Sequence, residues 1–220
     1  PGPYAGGKPR PDWTTYYDAV THLAEWLRYR GENAAMLPVF VYGGSLYPSG
    51  ILPNNGRYDD GLNFTDGRHV VQKDMVRLVL EVFERNGLTL IPEFALYTPL
   101  PRLEAAFQPD KQGIREVDLL HKNGRSARQE LSLDGIDRHG PYYNPLHPSV
   151  QEEVRSILRE FIGRYKDSPA LGDIALRLNT TGWIQYPGLN WGYDADTVSA
   201  YLREMRPEVI HEAGSKLPIE

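Results

Sequence analysis

Asn86-Gly87-Leu88-Thr89-Leu90-Ile91-Pro92-Glu93-Phe94-Ala95-Leu96 is the stretch on which the fold turns. Asn86-Gly87 is a left-handed helix stop. It ends an apolar stripe at helical spacing: Val71, Met75, Leu78, Val79, Val82 and Phe83. The near-continuous apolar run that follows, 88–96, has the pattern of a strand covered on both faces in a parallel sheet. The same succession recurs on either side. Upstream, Tyr16, Val20, Leu23, Ala24 and Leu27 form a stripe with Asp12 or Thr14 as its cap, followed by the run 34–42. Downstream, Val150, Val154, Ile157, Leu158, Phe161, Ile162 and Tyr165 form a stripe, followed by the run 170–178. Ser149 and Glu152 stand there in capping-box spacing. A shorter stripe, Val198, Tyr201, Leu202 and Met205, starts at Asp194 and ends before Pro207. Helices alternating with buried strands predict the α/β class.

Connection lengths carry the functional signal. The expected helix-to-strand links, 31–33, 86–87 and 166–169, are short, whereas the strand-to-helix links, about 43–69 and 97–148, are long. Loops beyond roughly 12–15 residues are uncommon in compact domains and usually functional. Confined to the carboxyl ends of parallel strands, they mark the active face of a barrel or doubly wound sheet. A single α/β domain over 1–220 is expected.

Composition removes several classes of partner. With 24 basic against 29 acidic residues the chain is net −5, the wrong sign for a dedicated nucleic-acid surface. The longest apolar runs, such as 36–42, are too short to span a bilayer. No cysteine is present, so disulfides, thiolate zinc sites and cysteine nucleophiles drop out. Pro1 opens the sequence without a charged-then-apolar leader, which leads us to expect an excised piece of a longer protein. Rings with a polar handle dominate, 14 Tyr and 4 Trp against 6 Phe. They suit surfaces that are part apolar and part hydrogen-bonding, sugar sites and protein interfaces alike.

No phosphate-cradling glycine motif follows a strand; Gly43-Gly44-Ser45 lacks the remainder of either pattern. The six histidines are scattered, and Asp59, Asp60 and Asp66 fit turn chemistry better than a calcium loop. Neither a cofactor nor a metal is expected. Glu93 interrupts one buried run and Arg177 interrupts the next at a corresponding late position. A buried carboxylate is costly unless paired, so these two either pair with each other or line a substrate site. Beyond the third run, Trp183, Tyr186, Trp191 and Tyr193 are interleaved with Asn179, Gln185 and Asn190. Flat rings offer faces to pyranose CH groups while amides take hydroxyls; packing on the rim of the sheet is the alternative. Tyr42, Tyr143 and Asn144 are lesser candidates from the other loops.

Arg164-Tyr165-Lys166-Asp167-Ser168-Pro169-Ala170-Leu171, with a strand ending in Asn179, resembles the fourth-strand signature of the clan A glycoside hydrolases. Met36-Leu37-Pro38-Val39 and Leu90-Ile91-Pro92-Glu93 look like strand cores of that clan. Asn190-Trp191-Gly192-Tyr193-Asp194, then a helix, is similar to its β-galactosidase-like members and their bacterial relatives. The resemblance implies a (β/α)8 TIM-barrel, here its amino-terminal part, with a small open α/β parallel sheet as the alternative. It also implies a carbohydrate partner and an exported, extracytoplasmic protein. In the clan a Glu acting as general acid/base follows the Asn; here Thr180 stands in its place, and its hydroxyl does not titrate near neutrality. Hydrolysis normally needs two carboxylates. Glu93 is the catalytic candidate, and its partner is expected outside this chain. The expected function is therefore a glycoside-hydrolase-like protein acting on or binding a polysaccharide or oligosaccharide at the strand carboxyl ends. Arg177, Asn179, Trp183, Tyr186, Trp191, Tyr42, Tyr143 and Asn144 would bind the sugar. A non-catalytic carbohydrate-binding barrel and an interaction module with aromatic packing loops are the alternatives.

Overall fold

A computed structural model of the chain describes residues 4–5, 8–9, 13–41, 44–54, 74–96, 99–132, 143–177, 186 and 188–205. A two-rung antiparallel pair, β1 (Tyr4–Ala5) with β2 (Lys8–Pro9), precedes the main body. Helix α1 (Trp13–Arg30) leads into β3 (Ala34–Val41), which folds back antiparallel onto β4 (Gly44–Ser45). Helix α2 (Met75–Asn86) carries the chain to β5 (Thr89–Phe94), parallel to β3. Helices α3 (Pro101–Ala106), α4 (Ala127–Ser132) and α5 (Pro148–Tyr165) come before β6 (Ala175–Leu176), parallel to β5. Helix α6 (Ala195–Met205) closes the described chain.

The strand order is β4-β3-β5-β6. Among the described residues this is an open mixed sheet with helices, so the expected α/β class holds, while closure into a (β/α)8 barrel is not shown. The sheet is mixed because β4 turns back antiparallel, a hairpin inside what the sequence offers only as a long loop.

Local signals explain most boundaries. Asp74 caps α2, its Oδ1 accepting from the Arg77 N–H at 2.9 Å, and Gly87 ends it at φ +66°. Asp194 caps α6 through its Oδ1, which accepts from the Thr197 N–H at 2.9 Å. At α5 the cap is not Ser149. Pro148 occupies the first turn, and the His147 Nδ1 accepts from the Ser149 N–H at 3.2 Å, because proline is well placed only just inside a helix start. The third strand is also shorter than expected. Leu171 bridges Leu90, then pairing lapses until Ala175. Gly172 follows the bridge, its N–H donating to the Leu90 carbonyl at 2.8 Å, so close to β5 that a Cβ would lie 2.6 Å from Thr89 Cγ2.

One face of the sheet is the core. Val39, Leu90 and Phe94 are buried there with Phe83, Ile157 and Phe161 of the helices. Tyr47 and Phe94 each meet the Phe161 ring edge-on, with centroids 5.2 Å apart. The expected two-sided burial does not hold throughout. Met36, in register with the partly buried Ile91, is 56% exposed. Side chains alternate along a strand, so Met36, Ile91 and Glu93 share the less covered face.

Candidate functional site

Glu93 stands at the penultimate residue of β5, in register with Ala175 of β6. Arg177 follows β6 directly, its N–H donating to the Phe94 carbonyl at 2.9 Å. The ladder sets both side chains at the carboxyl ends of adjacent parallel strands. The guanidinium grips the carboxylate with two donors, Nε to Oε1 and Nη2 to Oε2, the latter at 2.9 Å. Glu93 is buried while the Arg177 side chain is 49% exposed. The pairing that the sequence leaves open is thus observed. A buried negative charge is compensated by a cation that still reaches solvent.

The two loops that leave these strand ends are tied together. Leu120 bridges Ser126 across an Asn123-Gly124 turn in which Gly124 has φ +80°. The strand-like edge of this hairpin pairs with the second loop. Lys122 N–H donates to the Asn190 carbonyl at 2.8 Å, and Gly192 N–H donates to Leu120 at 2.9 Å. The bridge sets His121 against Trp191, ring centroids 5.0 Å apart at 67°. Gly192 has φ +87°, and a Cβ there would lie 2.9 Å from Tyr186 Cε1. The Tyr186 ring therefore backs the segment, with its hydroxyl donating to Asn144 Oδ1 at 3.0 Å. Burial is the first cause raising the Tyr186 pKa.

Tyr143 and Asn144 are fully enclosed. The Tyr143 hydroxyl accepts from the Leu100 N–H at 2.8 Å and donates to Glu104 Oε1. Asn144 Nδ2 donates to Asp194 Oδ2 at 3.0 Å and to Thr197 Oγ1 at 2.7 Å. These two residues stand behind the loops and hold them. Tyr42, Asn179 and Trp183 lie outside the described residues, as do Thr180 and Gln185.

The loop that follows β5 contains a charged cluster that sequence reasoning passes over. Arg128 Nη2 meets Glu104 Oε1 at 2.5 Å and its Nε meets Asp118 Oδ1 at 3.3 Å. Arg115 Nη2 lies 3.5 Å from Glu104 Oε2. Its backbone N–H donates to Asp118 Oδ2 at 3.0 Å. Burial raises the Asp118 pKa against the pull of Arg115 and Arg128. Burial works against the Arg128 charge, but Asp118 and Glu104 outweigh it and the Arg128 pKa rises. The local signals for this region are Asn123-Gly124 and the box Ser126-x-x-Gln129, in which Ser126 N–H donates to Gln129 Oε1 at 2.9 Å.

A cleft of about 350 Å³ lies elsewhere, between α2 and the end of α5, lined by Arg77, Glu81, Glu84, Arg164 and Asp167 among others. None of the expected site residues borders it. Among the described residues no three His, Asp or Glu side chains converge as a metal site, and no helix is long and apolar enough to cross a membrane.

No family model matches the chain, and no curated protein matches it. Among solved structures it is similar to a catalytic mutant of Gan42B, a GH42 β-galactosidase from G. stearothermophilus. The identity is 15% and the TM-score 0.37, over 72% of this chain and 18% of that one. The chain thus spans less than a fifth of that protein's length.

Proposed function

We propose that this chain is a glycoside-hydrolase-like protein that acts on or binds an oligosaccharide or polysaccharide at the carboxyl ends of its parallel strands, its sheet forming part of a (β/α)8 barrel. The observation that carries the reading is the Glu93–Arg177 pair, set at the strand ends from which both aromatic loops depart. Charged and hydrogen-bonding groups on a rigid floor with aromatic side chains above are what a polar, flat-faced ligand requires. Glu93 and Arg177 form the floor in this reading, and Trp191, backed by Tyr186, is the described part of the platform. Asn179, Trp183 and Tyr42 would complete it, while Tyr143 and Asn144 act from behind by fixing the loops.

Recognition without hydrolysis is the second reading, and two observations favour it. Both Glu93 oxygens are engaged by one guanidinium, and Thr180 replaces the acid/base Glu of the resembling clan. A hydrolase acting through Glu93 would need one of those oxygens at the glycosidic bond and a second carboxylate.

The test is glycan-array binding followed by hydrolysis assays on the bound glycans, for the wild type, Glu93→Gln and Trp191→Ala. Binding that survives Glu93→Gln while turnover is lost supports hydrolysis through Glu93. Binding without turnover in all proteins supports the second reading. If the wild type binds no glycan, the carbohydrate reading is wrong; if Trp191→Ala binds as well as the wild type, Trp191 is not its platform.

A further inference from the structure

We propose that His121 and Trp191 form a two-ring corner in which Trp191 stacks on the CH face of a pyranose and the His121 Nε2–H donates to one of its hydroxyls. The inference rests on the carbohydrate reading above and adds to it a residue and a contact.

Three features single out this corner. The rings come from loops that leave different strands, yet both are fixed by backbone bonds, Lys122 to Asn190 and Gly192 to Leu120, at 2.8 and 2.9 Å. The two backbone segments are therefore held side by side before any ligand arrives, which lowers the entropic cost of binding. Both rings are partly exposed, and their planes meet at 67° rather than lying stacked face to face. Finally, the His121 Nδ1 accepts from the Asn123 N–H at 3.4 Å, which assigns the ring proton to Nε2. Among the described residues that Nε2–H has no hydrogen-bond partner. A fixed donor beside an aromatic face suits a ring that is apolar on one side and hydroxyl-bearing at its edge.

The experiment is a Trp-fluorescence titration with cellotetraose, xylotetraose and β-1,4-galactotetraose, keeping the tightest binder. It compares the wild type with His121→Phe, His121→Asn and Trp191→Ala, each checked for an unchanged circular dichroism melt. One lost neutral hydrogen bond corresponds to a roughly 2–10-fold weaker Kd. His121→Phe keeps a ring against Trp191 but removes the donor, so that loss is expected, with a larger one for Trp191→Ala. His121→Asn keeps a donor without the ring and is the second variant should the first fail to fold; a weaker Kd is expected there too. Wild-type affinity in a folded His121→Phe would overturn the donor role while Trp191→Ala still upheld the platform. Absence of binding to all three sugars by the wild type would instead remove the carbohydrate reading, and this inference with it.

Discussion

Two ion clusters follow one another along β5 and its outgoing loop, and they differ in where water reaches them. At Glu93–Arg177 the carboxylate is buried and the guanidinium half in solvent. At Glu104–Arg128–Asp118 the guanidinium is itself mostly enclosed and Asp118 is sealed completely. The first cluster presents a charged group at the strand ends. The second exposes its cation less, Arg128 at 20%, and staples its loop into one piece, with Arg115 and the Tyr143 hydroxyl completing it. A buried carboxylate is therefore not by itself a mark of a ligand site; the two clusters differ in how far solvent reaches the partner cation.

Removing the central cation of the staple should have the largest consequence. Arg128→Ala takes from Asp118 and Glu104 the cation they share, leaving them Arg115 and the Tyr143 hydroxyl, and breaking a buried pair from one side costs up to about 3–5 kcal/mol. A urea melt should show that loss in the midpoint with little change in slope; a loss under about 1 kcal/mol would mean that water reaches the cluster. Tyr143→Phe is the next largest. It removes the hydroxyl joining the Leu100 N–H to Glu104, and an orphaned buried group costs about 1–3 kcal/mol. A change near zero would mean that the Leu100 N–H and Glu104 find other partners once the hydroxyl is gone.

The exposed pair should respond asymmetrically. Arg177→Met leaves Glu93 buried without its guanidinium, whereas Glu93→Gln keeps a hydrogen-bonding amide opposite Arg177, whose side chain is 49% exposed. Paired melts should find the arginine variant the less stable by about 1–2 kcal/mol. Equal losses would make this pair a staple like the other.

Glu153 sharpens the comparison with the smallest effect. It is buried on α5, its Oε1 has no hydrogen-bond partner and Arg102 stands 3.4 Å from Oε2. Burial raises its pKa, more than Arg102 lowers it. A carboxyl whose folded pKa is raised favours folding while protonated, and that contribution is lost as pH rises through the folded pKa. Glu153→Gln should therefore raise the Tm slightly at pH 7, and the gain should vanish below the ordinary carboxylate range, about pH 4. A gain that persists at low pH would point to packing instead.

Legibility in the sequence followed the range of the interaction. Helix stops and stripes act within a turn or two, so Gly87 as a C-cap and Asp194 as an N-cap could be read directly. Misreadings arose where a neighbouring strand or an adjacent proline took over. The third run pairs with β5 at Leu171 and then only from Ala175, and Pro148 moves the α5 cap to His147. Glu93 and Arg177 were visible as charges interrupting apolar runs. His121 was not, because its ring contact is with a residue 70 positions later in the chain.

By itself the sequence determined the alternation of helices and strands, the parallel run of β3, β5 and β6, and the carboxyl ends of the strands as the place of the long loops. Periodicity and capping are local physics, and a parallel pair needs an intervening crossover that the connection lengths already supply. Tertiary structure alone decided which polar residues face solvent and which face one another. It made Glu93 and Arg177 partners 84 residues apart, enclosed Tyr143 behind the loop and set Trp191 beside His121. Such pairings depend on the register of strands and on loops meeting across the sheet, and a one-residue shift in the register of β5 would turn Glu93 to the other face.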